Sequence, residues 1–337
     1  MTSKMIVVMG PTGVGKSSFI RSAIPQGVPN SVQVGHGLQS ETSRVQAVHW
    51  ETHNVKLVDT PGFDDSRSNL TDVDVLRMIV EFLTTESQSS ELVGLIYMHR
   101  ITDTRVGATS QRNLRMFQKL CGLDAMKNVA IVTTMWDKVA SPDEGSRREK
   151  ELEEKDNLFK PLVARGAKMM RHNGTSGTAS NVIDYLLKQG ATTTQIVREI
   201  AEKKALVDTE AGAELQAEIR TLLKRHKEEI QQMEEEIKNA KQGDTAALKE
   251  IEEEKGKSED QLARLKRELE KLRCGLWDRG VTTMKIMINL FTKKTRRLLH
   301  LGDPASGAPI YSGDPTSSGG PSSGAPTPLE VQPPQKI

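Results

Sequence analysis

The chain has 337 residues, with 47 Lys and Arg against 45 Asp and Glu, so a near-neutral charge excludes a global pull toward nucleic acid. Its length predicts about two domains, and 27% charged residues with only 4% aromatics predict a globular part joined to long, solvated helices. Cys121 and Cys274 are too few and too far apart for a disulfide framework, no run reaches the roughly 18 apolar residues of a membrane span, and Lys4 leads straight into an apolar run instead of a cleavable leader, so the expectation is a cytoplasmic protein.

In chain order, apolar runs at 5–9, 45–50, 55–59, 92–98, 129–134 and 167–171 predict strands. Helical periodicity predicts helices near 16–24, 72–83, 110–120, 145–164 and 179–188. Strand alternating with helix predicts an α/β domain over 1–192, a three-layer sandwich around a mostly parallel sheet, with ligands at the carboxyl ends of the strands.

From 195 to 300 the pattern becomes helical. Ile219, Leu223, His226, Ile230, Met233, Ile237 and Ala240 make one heptad seam, and Leu248, Ile251, Lys255, Ser258, Leu262, Leu265, Leu269, Leu272 and Leu276 make another, which predicts a coiled-coil region. The seams fall out of phase near 242–245, where Gly243 suits a helix C′ position and Asp244 an N-cap. Either an antiparallel hairpin or a kinked continuous coil satisfies this, folded back on the globular domain or self-associating. Residues 281–300 are basic and amphipathic; such a stretch packs on its own protein more often than on an anionic membrane surface. Pro, Gly and Ser dominate 301–337, a predicted disordered tail.

The chemistry lies in the first half. Gly10-Pro-Thr-Gly-Val-Gly-Lys16-Ser17 fits G-x-x-x-x-G-K-[ST] between a strand and a helix, the context that a phosphate-binding loop needs. The backbone N–H groups of Gly10, Thr12, Gly13, Val14, Gly15, Lys16, Ser17 and Ser18 would surround phosphate at a helix N-terminus. Lys16 would reach the β- and γ-phosphates, and the Ser17 hydroxyl would ligate Mg²⁺. Asp59-Thr-Pro-Gly62 ends the third strand: Asp59 suits a metal held through water, and the Gly62 N–H suits the γ-phosphate. Between the two, Thr42 is the candidate to carry a hydroxyl to the metal and γ-phosphate on a switch loop, with Ser40 and Ser43 as near alternatives. After the fifth strand, Asp137 in Thr134-Met-Trp-Asp137 can accept from guanine N1–H and its exocyclic amine, a donor pair adenine lacks. Asn173 and Gly174 follow the last strand and are candidates to line the base.

With Tyr97-Met-His-Arg100-Ile-Thr102, these motifs resemble the septin/Toc/immunity-associated (paraseptin, AIG-type) branch of P-loop GTPases over residues 4–190. The Arg100 segment and the relaxed base-reading motif favour the immunity-associated side. The resemblance implies a G-domain fold, GTP/GDP and Mg²⁺ as ligands, and nucleotide-dependent dimers through the G domain; the motifs predict GTP hydrolysis to GDP and phosphate, and the heptad seams predict the coiled coil as a second route to homodimers or homo-oligomers. The resemblance also implies that Arg100 can act across a dimer on transition-state charge; an arginine paired structurally at a strand end is the other reading. Two departures stand out. Phe63 occupies the place where Ras-like enzymes carry a water-orienting Gln, so intrinsic turnover should be slow. Met135 and Thr134 replace the usual Lys and Asn, which relaxes the preference for guanine. A hydrolytically inert scaffold acting through the coiled coil is the alternative, and an ATPase a third.

Overall fold

The computed structural model describes residues 2–24, 44–50, 53–64, 70–104, 106–239 and 245–274. Six strands form one sheet: β1 (Ser3–Met9), β2 (Gln46–Trp50), β3 (Val55–Asp59), β4 (Ser90–Arg100), β5 (Val129–Thr134) and β6 (Lys168–Arg171), in the order β2-β3-β1-β4-β5-β6. All neighbours run parallel except β2, which pairs antiparallel with β3 at one edge. Central β1 explains the two-sided sheet. Met5, Val7 and Met9 enter one apolar layer while Ile6 and Val8 enter the other, so the strand reads as a continuous apolar run.

Two faces require two helical covers. On one, α1 (Lys16–Ala23) and α6 (Ser176–Leu187) contribute Phe19, Ile20, Val182, Ile183 and Leu186. The other holds α2 (Asp72–Glu86), α3 (Ala108–Cys121) and, further along the chain, α7 (Gln195–Ala201). Helix α2 starts in a capping box, with the Asp74 N–H donating to Thr71 Oγ1 and the Thr71 N–H to the Asp74 carboxylate, each at 3.2 Å. The helix expected over 145–164 divides into α4 (Pro142–Glu154) and the short α5 (Lys160–Val163). Lys155 is extended, Pro161 cannot donate to a continuing ladder, and the bend between them buries Leu158 and Phe159.

The two long helices, α8 (Glu210–Asn239) and α9 (Thr245–Arg273), pack on each other as an antiparallel hairpin, which decides between the two arrangements the seams allowed. Glu234 pairs with Lys255 at 2.9 Å in the outer part, while Ile219 and Leu272, distant in sequence, share the same core at the base. That base folds onto the sheet domain. Lys119, Arg115 and Arg112 along α3 meet Glu210, Glu214 and Glu218 along α8 at 3.0, 2.6 and 2.6 Å, an antiparallel ladder of ion pairs. Lys271 of α9 pairs with Asp74 of α2 at 2.9 Å. Residues near 242–244, the basic stretch 281–300 and the tail 301–337 lie outside the described residues. No described helix is long and apolar enough to cross a membrane.

Candidate nucleotide site

Parallel pairing brings the loops after β1, β3, β4, β5 and β6 to one rim of the sheet. The loop after β1 is built to expose backbone N–H groups. Gly10, Gly13 and Gly15 take φ of 143°, 78° and 92°, and Gly10 lies so close to β4 that a Cβ there would sit 2.6 Å from the Met98 carbonyl oxygen. Lys16, only 7% exposed, folds its ammonium over this loop and donates to the Gly10 and Pro11 carbonyls at 3.1 and 3.0 Å. Ser17, at the start of α1, donates its hydroxyl to Asp59 Oδ2 at 2.5 Å, across 42 residues of sequence.

Asp59 is fully buried at the end of β3, and the chain beyond it locks onto the first loop. The Thr12 N–H donates to the Phe63 carbonyl at 3.0 Å, and Pro11 bridges to Phe63 as a one-residue parallel pair. Between them Gly62 passes so near Thr12 that a Cβ would fall 2.2 Å from Thr12 Oγ1 and 2.6 Å from its Cα. The Phe63 ring turns inward and is 1% exposed in the core. Next to it the Asp64 N–H donates to Asp72 Oδ1 at 2.9 Å, and Asp72 in turn pairs with Arg112, so the loop is anchored to α2 and α3.

Arg100 is the last residue of β4. Its guanidinium pairs with Asp103 at 3.0 Å and lies above Gly13, with Nη1 3.7 Å from where a Cβ on that glycine would stand. His99, the preceding residue, is buried beside the Phe159 ring; burial pushes its imidazole down to about 4, with Asp103 opposing and Arg100 assisting that shift. It is neutral at pH 7 and is no proton source there.

The base end is more open. Met135 adopts a left-handed conformation with φ 60°, and Asp137 stands exposed on the following single turn of 3₁₀ helix. Trp136 packs inward instead: its indole N–H donates to Thr133, and the Arg171 guanidinium covers its ring at 4.2 Å while pairing with Glu149. After β6, Asn173 is exposed and its Oδ1 accepts from the Thr175 and Thr178 hydroxyls at 2.7 and 2.9 Å, which ties it into the cap of α6. Gly174 follows with φ 84°. His172 anchors that turn, with Nδ1 3.0 Å from Thr178 Oγ1 and its ring edge-on to Phe19.

Every sequence-derived candidate within the described residues thus stands on one rim; Thr42 and its alternatives Ser40 and Ser43 lie outside them, and the Thr12 N–H, expected to face phosphate, is bound to the Phe63 carbonyl instead. Two groups were not singled out in the sequence for what they do here. Thr134, in the Asn position of the base-reading motif, donates its hydroxyl to the Val14 carbonyl of the phosphate loop at 3.0 Å. Asp103 restrains Arg100, and its only sequence signal is the i,i+3 spacing.

Toc33 from Arabidopsis thaliana in complex with Mg²⁺ and GMPPNP is 18% identical, with 57% of this chain and 87% of that chain covered at a TM-score of 0.43. A second structure, described as showing that dimerization matters for the GTPase activity of the chloroplast translocon components atToc33 and psToc159, is 19% identical over 56% of this chain and 83% of its own, with a TM-score of 0.43. An Era variant from Aquifex aeolicus bound to GDP and aluminium fluoride is 17% identical over 57% and 58%, with a TM-score of 0.40. No curated protein matches the chain. The model described as the AIG1 family matches residues 4–165, from the first strand through the loop after β5 to just past α5, so this part of the chain is similar to that family.

Proposed function

We propose that this chain binds GTP with Mg²⁺ and hydrolyses it to GDP and phosphate, slowly alone and faster when two G domains meet. The observation that carries the reading is the contact of Ser17 Oγ with the buried Asp59 carboxylate. Two hard oxygen donors beside a phosphate loop suit Mg²⁺, which would be held by Ser17 and, through water, by Asp59. Bound there, the ion would neutralise charge shared by the β- and γ-phosphates. Thr42 is proposed to add a hydroxyl from its loop. Lys16 would leave the Gly10 and Pro11 carbonyls for the phosphates, and the Gly62 N–H would meet the γ-phosphate. Asp137 would read the guanine edge, with Asn173 and Gly174 beside it.

Hydrolysis unaided should be slow, because the position after Gly62 offers only a buried phenyl ring. Arg100 is placed to help. It stands at the mouth of the phosphate loop, 36% exposed, so it can reach the phosphates of its own chain or those of a facing copy. Specific activity measured from nanomolar to tens of micromolar protein separates these. A rise with concentration is expected, and a flat profile removes assistance by a second domain.

The second reading is an inert scaffold that acts through its helices, favoured by Phe63 and by the ion-paired hairpin docked on α2 and α3. Nucleotide extracted after long incubation with Mg²⁺ decides: GDP is expected, and persistent GTP would establish the scaffold.

A further inference from the structure

Thr12 Oγ1 is shielded from solvent and has no hydrogen-bond partner among the described residues. A buried hydroxyl left unpaired is destabilising, so a partner at this place is favoured. Its neighbours say where it faces. The hydroxyl lies against Gly62, within 2.2 Å of a Cβ built there, while the main chain of the same residue is fixed to the Phe63 carbonyl at 3.0 Å. It therefore stands between the two loops that would meet the terminal phosphate.

Nearby alternatives have other tasks. The Phe63 side chain is in the core and its carbonyl already receives the Thr12 N–H. The Asp64 main chain is bound to Asp72, and Asp103 is engaged with Arg100. His99 is buried beneath this rim against Phe159.

We propose that the Thr12 hydroxyl is a catalytic group that holds the attacking water against the γ-phosphate, the task a glutamine side chain performs in Ras-like enzymes. The inference rests on the GTPase reading above. The water oxygen bonds to the γ-phosphorus as the bond from that phosphorus to the β–γ bridging oxygen breaks, and the bridging oxygen leaves with GDP and the electron pair. One water proton passes to a γ-phosphate oxygen and the other stays on the new P–OH, so the product departs as dihydrogen phosphate. Shielded between the two loops without nucleotide, Thr12 Oγ1 is uncovered as they part around the γ-phosphate; it then accepts a hydrogen bond from the water through a lone pair and donates its own O–H to a γ-oxygen. It stays neutral throughout, because an aliphatic hydroxyl positions water without acting as a base.

A steric wedge between the loops is the competing role, and isosteric replacement separates the two. Thr12→Val keeps the shape and removes the hydroxyl; Thr12→Ser keeps the hydroxyl and removes the methyl. In single-turnover assays Thr12→Val should lower kcat by about a hundredfold, with affinity for a non-hydrolysable GTP analogue within about twofold of wild type. Thr12→Ser should recover most of the lost rate. Valine and wild type turning over equally, serine failing as valine does, or a loss of analogue affinity that matches the loss of rate would each overturn the proposal. Should Thr12→Val not fold by circular dichroism, Thr12→Ala replaces it with the same expectation and the same overturning results. A wild-type protein that binds GTP without turnover brings down the GTPase reading itself, and the inference with it.

Discussion

The phosphate end and the base end of the rim are built to different standards. At the phosphate end Lys16 and Asp59 are buried, Gly62 is wedged against Thr12, and two loops share a backbone hydrogen bond. At the base end Asp137 and Asn173 are exposed, and Met135 takes the left-handed conformation that starts their turn. The difference matches what each end must distinguish. A triphosphate presents dense charge that rewards fixed N–H groups and a buried cation, since preorganised dipoles in a dry site cost no reorganisation on binding. A base differs from its competitors by a few hydrogen-bonding groups at its edge, and an exposed carboxylate selects among them more weakly because water competes. Grip should therefore reside in the first end and choice in the second.

The largest test of that division is Gly62→Ala. The added methyl would stand 2.2 Å from Thr12 Oγ1 and 2.6 Å from Thr12 Cα, against backbone that cannot step aside without parting the two loops. Overpacking of this kind costs up to about 3 kcal/mol; relieved by parting the loops in the bound state alone, that strain would lower affinity by up to about a hundredfold. The loss should fall on GTP analogues and spare GDP, because the Gly62 N–H is proposed to meet the γ-phosphate, which GDP lacks. Calorimetric titration with both nucleotides checks it. Equal losses for GDP and the analogue would break the division within the phosphate end.

A smaller effect is expected from Asp137→Asn. The amide offers a donor where the carboxylate accepted, so preference should move from guanosine toward xanthosine nucleotides. Hydrogen bonds to charged groups contribute about 1.5–3 kcal/mol, and exposure of Asp137 puts the shift near the low end, about tenfold. Competition between the two nucleotide families measures it directly. A preference unchanged from wild type would remove Asp137 from the base site and leave the base end without a named reader.

These tests also trace what the sequence could reveal. The phosphate loop was legible because its glycines and Lys16 sit between a strand and a helix in fixed spacing, and the strand pattern followed from β1 being apolar on both faces. The direction of the hairpin was not. The stripes Arg112, Arg115, Lys119 and Glu210, Glu214, Glu218 each recur at helical spacing, but only tertiary structure pairs them across about a hundred residues. The division of 145–164 was hidden because charged periodicity continues past Glu154 while Pro161 interrupts the ladder further on. Arg100 and Thr134 were visible as residues, whereas their partners, Asp103 and the Val14 carbonyl, depend on how neighbouring strand ends meet.

Thr134 also joins the two ends, and so gives the finest test. Its hydroxyl reaches from the close of β5 to the Val14 carbonyl, in the middle of the phosphate loop, at 3.0 Å. Thr134→Val preserves volume and removes one neutral hydrogen bond, a loss of about 1 kcal/mol, or roughly fivefold in affinity. Because the bond orients the base-reading loop relative to the phosphates, the loss should be equal for GTP and GDP, and kcat should hold, as for an interaction made alike in ground and transition states. Unchanged affinity would mean that the ends are positioned independently by the sheet. A fall in kcat instead would mean that the tether shapes the phosphate loop, and that the separation of grip from choice fails at Val14.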